Sequence, residues 1–344
     1  MKIFIDVNIQ KLRFECLLYF TKKYNILSKM NINIVKKYNE ADLILFLVNT
    51  QKNIINLEND HYLFKTKIPI ILLERNDASI TWVRDLKKIK NLKAIFKNRI
   101  LRNSLFQNTD KILNGRYHYY LMNNIYKIKN INEKKKDIGS NFYTNNLLKI
   151  DNEDLHKIKC VLWDFHSSIL SDDQTLKFFR FNKMNLKKDI DIYFYNKPKN
   201  NVLINKSLEN INNILINQKK YKVLDKHLEK EEYEEKFKRC KIAVSYWSNS
   251  EWISMDYHAM YSGVILIKPN TDFVKQQPDI YQHNKCYIPC KDDYSDLLGI
   301  IDDVLIKYDS YKSMLLNNRK MVMELNEEKA CQLFWEEIKK LYKD

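Results

Sequence analysis

The chain has 344 residues, 45% hydrophobic and 12% aromatic, with a formal net charge of +16. That length exceeds what one core usually supports, so two domains are expected. No apolar run approaches the roughly 20 residues a membrane helix needs, and MKIFIDVNIQ reads as no secretory signal, so the expectation is a cytoplasmic protein (in the host cytoplasm if viral) with no transmembrane segment.

Short apolar runs alternate with helical patterns, the signature of parallel sheets wrapped by helices. Residues 3–7 read as a first strand, and Leu12, Cys16, Leu17 and Phe20 give a helix over 9–23. ADLILFLV at 41–48, IPIILL at 68–73 and LKAIF at 92–96 are buried-strand patterns, and CVLWDF at 160–165 reads as the last strand of this half. NINEKKKD at 130–137 is a charged loop. A second unit opens with IDIYFY at 190–195. A helix follows over 201–218, with Ile204, Leu208, Ile211 and Leu215 on one face. Next come a strand at 221–224, a charged helix at 230–238, IAVS at 242–245, a helix near 251–261, VILI at 264–267 and CYI at 286–288. Residues 293–343 read as helical throughout, and the amphipathic stretch with Cys331, Leu333, Phe334, Ile338 and Leu341 is expected to cross back onto the first half. The fold class is α/β, with two Rossmann-like domains facing a cleft: an N-terminal domain over 1–183, a C-terminal one over 184–325, and a returning helix over 326–344.

Residues 1–150 hold 28 Lys and Arg against 12 Asp and Glu, whereas 151–344 hold 31 of each, so the whole excess of positive charge sits in the first half. Abundant Asn, Ile, Lys and Tyr, with only four glycines, fit an AT-rich coding sequence, but that bias does not explain why one half alone is basic. An anionic partner for that half is one reading and a solvated face is the other. Arg84, Lys87, Lys88, Lys90, Lys93, Lys97, Arg99 and Arg102 concentrate the charge. Six scattered cysteines read as free thiols, and no spacing suggests a metal site; DID at 189–191 is the nearest thing to one. Glycines at 115, 139, 263 and 299 allow neither a GxGxxG turn nor a P-loop, so a phosphate would have to meet a helix N-terminus and side-chain donors.

Residues 235–269, EKFKRCKIAVSYWSNSEWISMDYHAMYSGVILIKP, resemble the donor-site segment of GT-B glycosyltransferases, especially small exostosin-like ones. That family runs from a strand through a W-G-x-G-E-like turn to R-D-Y-E-A on a helix and then G-x-V-L-I-K-P. Trp247, Glu251, Asp256, Tyr257, Ala259, Gly263, Lys268 and Pro269 match in continuous register. Ser248 and Ser250 replace the turn glycines, Met255 the helix arginine, and His258 the helix glutamate. The resemblance is good over about 185–325 and weaker over the first half, where LLERNDAS, LKAIFKNRILR and VLWDFHSS look like the acceptor domain.

The resemblance implies the GT-B architecture and transfer of a hexose from a nucleotide diphosphate sugar to a hydroxyl, with no cofactor and no metal. The nucleotide-sugar set is Lys197, Asp225, His227, Trp247, Ser248, Ser250, Glu251, Asp256, His258 and Lys268. Physical chemistry supports these residue types. Helix N–H groups and serine hydroxyls suit a diphosphate, carboxylates suit ribose hydroxyls, and lysines suit a departing phosphate. Asp77 and His166, each following an apolar strand, are the candidate bases for the acceptor hydroxyl, with His118 behind them. The acceptor is expected to be a glycan or another anionic molecule, with nucleic acid or a membrane surface as further partners of the basic half. A fold-retaining binding module without catalysis and a phage-type DNA base glucosyltransferase are the alternative readings.

Overall fold

The computed structural model describes residues 1–6, 11–48, 61–74, 88–102, 125–127, 152–161, 187–198, 202–225, 228–248, 253–277 and 279–343. Two parallel sheets organise them. The first half runs β1 (Lys2–Asp6), α1 (Lys11–Lys23), α2 (Ile26–Lys29), β2 (Asn33–Val35), β3 (Leu43–Val48), α3 (Tyr62–Lys65), β4 (Ile70–Glu74), β5 (Leu92–Lys97), β6 (Arg99–Leu101) and β7 (Ile158–Cys160). Its six-stranded sheet has the order β2-β1-β3-β4-β5-β7, every pairing parallel. β3 and β4 are buried along their whole length, as strands covered on both faces must be.

The second half runs β8 (Ile190–Phe194), α4 (Val202–Leu215), β9 (Val223–Leu224), α5 (Lys230–Phe237), β10 (Cys240–Val244), α6 (Ser254–Ser262), β11 (Ile265–Pro269), β12 (Val274–Gln276), β13 (Ile288–Cys290), α7 (Leu297–Ile306), α8 (Lys312–Glu324) and α9 (Glu327–Lys343). Its sheet order is β9-β8-β10-β11-β13, again all parallel. Side chains alternate across it. Ile192, Phe194, Ile242, Val244, Ile265 and Ile267 meet α4 and α7 on one face. Tyr193, Ala243 and Leu266 meet Phe237 of α5 and Ala259 and Met260 of α6 on the other. Gly263 ends α6 at φ 60°, the left-handed value that lets Val264 N–H reach back to the Ala259 carbonyl at 3.0 Å.

The α/β class and the two Rossmann-like units are as the alternating pattern foretold. Some details differ. The strand expected at 160–165 starts at Ile158, and the helical stretch 293–343 is three α-helices, with a short 3-10 turn at Tyr308–Tyr311 between the first two. α9 lies in the core of the first sheet, with Cys331, Phe334, Trp335 and Ile338 packed among Leu17, Phe20, Leu45, Ile71 and Phe96. Trp335 Nε1 donates to Thr21 Oγ1 at 2.9 Å. A second link is the antiparallel ribbon of β6 with β12. Cys160, Cys240, Cys286, Cys290 and Cys331 are free thiols. Among the described residues, no helix is long and apolar enough to cross a membrane.

Candidate ligand site

In the second sheet the chain leaves β8 in one direction, to β9, and continues from β10 in the other, to β11. Crossovers that diverge in this way leave a crevice at the carboxyl ends of the two central strands. A cavity of about 460 Å³ lies there. Tyr193 and Tyr195 line it from the end of β8, Tyr246 from just past β10, and Glu229 and Tyr233 from the start of α5. Ser254, Met255 and His258 line it from α6. The Tyr195 and Tyr246 rings stack with centroids 6.0 Å apart.

None of the described lining residues is a lysine or arginine. Burial raises the hydroxyl pKa of Tyr193, Tyr233 and Tyr246, which keeps them protonated. The Tyr233 hydroxyl lies 2.9 Å from His258 Nδ1, and burial lowers the imidazole pKa to about 3. His258 is therefore neutral near pH 7 and offers hydrogen bonds without charge. Aromatic faces with neutral polar edges and one rim carboxylate, Glu229, suit a flat uncharged ring bearing hydroxyls. They do not suit a phosphate. The N–H groups opening α6 stand beside the cavity and are the anion-favouring element there.

Just behind the first turn of α6 is a wholly buried ion pair, Asp256 with Lys268, at 3.2 Å. Asp256 also accepts from Ser245 Oγ at 2.7 Å, from the Tyr281 hydroxyl at 2.6 Å and from Ile253 N–H at 3.2 Å. The last of these satisfies a helix-start donor, so Asp256 serves as the reciprocal acid of the α6 cap. Lys268 Nζ donates to Ser245 Oγ at 3.2 Å and lies over the rings of Trp247 and Tyr281.

The expected donor residues are thus dispersed. His258 lines the cavity. Trp247, Asp256 and Lys268 are 0% exposed and form the buried cluster. Ser248 is half-buried; Lys197, beyond β8, and Asp225, directly after β9, are exposed, and these three are not among the lining residues. His227, Ser250, Glu251, Asp77, His118 and His166 lie outside the described residues. Of the lining residues sequence reasoning named only His258 as a site residue; the polar ones it missed are Tyr193, Tyr195, Glu229, Tyr233, Tyr246 and Ser254. For Tyr195 and Tyr246 the available signal was an aromatic placed one or two residues past a central strand.

The DID acids and the basic stretch can also be placed. The DID acids sit at the amino end of β8, away from the cavity, and are paired. Arg239 bonds Asp189 at 2.8 and 2.5 Å, holding its carboxyl well below the usual range. Lys241 bonds Asp191 at 2.8 Å. Among the described residues, no group of His, Cys, Asp and Glu is arranged to hold a metal. In the basic stretch, Lys97 is buried beside Glu74 at 3.7 Å and Arg102 is bonded to Asp279, so neither offers its charge to a partner. Lys88, Lys90 and Lys93 are exposed, and Arg84 and Lys87 lie outside the described residues.

No protein-family model matches the sequence, and no curated protein matches it. Among solved structures the chain is similar to the pneumococcal O-GlcNAc transferase GtfA, determined in complex with UDP and GlcNAc, at 10% identity and a TM-score of 0.39. The match covers 94% of this chain and 60% of that one, so the chain spans less than two thirds of that transferase.

Proposed function

We propose that the chain is a glycosyltransferase that moves a hexose from a nucleotide diphosphate sugar to a hydroxyl acceptor without a metal. The observation that carries this reading is the tyrosine-lined cavity at the switch point of the second sheet. It opens beside the start of α6, inside the segment whose pattern resembles an exostosin-like donor site. The nucleoside would enter the cavity, with Glu229 accepting from ribose hydroxyls and the tyrosine rings flanking the base. The diphosphate would meet the α6 N–H groups, with Ser248, Ser250 and Lys197 as further donors and Glu251, Asp225 and His227 around the nucleoside. In this arrangement Asp256 and Lys268 act by fixing the turn at Ser245–Trp247 and the start of α6. The acceptor, a glycan or another anionic molecule, would lie on the first domain, where Asp77 or His166 takes its hydroxyl proton.

A second reading, a binding module that does not transfer, is favoured by one observation. The Lys268 and Asp256 charges are spent on each other rather than presented to a ligand. Hydrolysis of nucleotide sugars by the pure protein separates the two readings. A nucleoside diphosphate at ~100 times its Kd should add about 2.7 kcal/mol of stability under either. If no nucleoside diphosphate or nucleotide sugar raises the melting temperature at millimolar concentration, both readings fail. Turnover that survives EDTA supports metal-free transfer; turnover lost in EDTA and restored by manganese contradicts it.

A further inference from the structure

Arg102 directly follows β6 and belongs to the first unit, yet its described partners all belong to the second. Its guanidinium bonds both Asp279 carboxylate oxygens at 2.8 Å, the Asp272 carbonyl at 2.6 Å and the Tyr281 carbonyl at 3.2 Å. Its own N–H donates to the Phe273 carbonyl at 2.9 Å. One side chain therefore grips the connection between β11 and β13 at 272, 279 and 281, and its main chain adds 273. That connection has little regular structure of its own beyond the three-residue β12.

Tyr281 carries the grip inward. Its carbonyl is on Arg102, while its ring is wholly buried and its hydroxyl sits on Asp256. A tyrosine has two rotatable side-chain bonds, so a packed ring transmits a main-chain shift to its hydroxyl. Asp256 in turn holds Ile253 N–H and starts the helix whose Ser254, Met255 and His258 line the cavity. We infer that Arg102 is a positioning residue: from the first unit, it sets the wall of the cavity in the second. As a statement about nucleotide binding, this rests on the function proposed above. By linkage, a nucleotide that favours the ordered start of α6 also strengthens the contact between the units.

Backbone hydrogen exchange on the ligand-free full chain tests the inference. In Arg102→Met the amides of 253–258 should exchange at least about 5-fold faster, the factor that loss of one net hydrogen bond gives. Those of α7, on the opposite face of the same sheet, should stay unchanged. Arg102→Lys, which keeps charge but not the fork, should fall between. UDP affinity should drop in the same rank order. Unchanged exchange at 253–258, or equal acceleration there and in α7, overturns the inference; the second outcome would mean a general loss of stability. If Arg102→Met fails to fold, Arg102→Lys and Asp279→Asn carry the same comparison. Because exchange is read without nucleotide, failure of UDP to bind would count against the proposed function alone.

Discussion

The two sheets run their strands in the same order, yet their carboxyl edges end differently. At the second, Asp256 and Lys268 neutralise each other behind an open cavity walled by tyrosines. At the first, Glu74 and Lys97 form a buried pair across the ends of β4 and β5, and Tyr62 donates to Asp6 at the end of β1. Strand order supplies a crevice in both places. The side chains just past the strand ends decide what that crevice can hold. In the second unit the strand-end side chains that wall the cavity, Tyr195 and Tyr246, are aromatic and uncharged, while Asp256 and Lys268 behind them are buried and paired.

The largest expected effect comes from breaking the second pair. Lys268→Met should cost about 3–5 kcal/mol in denaturant unfolding, because it strands a buried carboxylate. Adding Asp256→Asn should return most of that loss. Lys97→Met should cost a similar amount at the first edge. A loss below about 1 kcal/mol at either edge would show that the partner left behind is not held as a charge.

The next effect is in pH. Because the folded-state pKa of His258 lies near 3 and its ordinary value near 6.5, the unfolded chain binds the extra proton between those limits. Stability should therefore fall as pH drops from about 6.5 toward 3, by at most about 1.4 kcal/mol per unit. His258→Gln should flatten that slope, and an unchanged slope would mean that the imidazole is free to charge in place.

Two tyrosines then compare the edges at equal chemistry. Tyr281→Phe should cost about 1.5–3 kcal/mol, since it removes a bond to a wholly buried carboxylate. Tyr62→Phe should cost less, about 1 kcal/mol, because Asp6 keeps some solvent contact. The smallest change in stability, within about 0.5 kcal/mol, is expected for Lys88→Glu with Lys90→Glu. If the basic face receives an anionic acceptor, that pair should lower acceptor affinity and leave UDP affinity alone.

Much of the fold was legible because apolar runs such as LILFLV and IILLE have one stable use, a strand covered on both sides. The stripe at Cys331, Phe334 and Ile338 was legible for the same reason at helical spacing. β2, with its sequence NIV, and the β6–β12 ribbon were not, since three residues carry no periodicity and their pairing is set by distant contacts. The site was legible in place more than in parts. The motif led to the β10–α6 turn, but a matched acid or lysine does not reveal whether it faces a ligand or a buried partner. Asp256 and Lys268 face each other because Ser245, Tyr281 and Trp247 close around them, and those contacts span 11 to 25 positions.

Titration calorimetry with a panel of nucleoside diphosphates, UDP among them, on the full chain and on Tyr195→Ala and Tyr246→Ala tests the central claim most directly. The account predicts that one of them binds the natural sequence and that each substitution weakens it by about 1–3 kcal/mol, the usual value of a base stacked on an aromatic ring. Absence of binding across the panel, or binding indifferent to both tyrosines, would contradict the assignment of the cavity to a nucleotide.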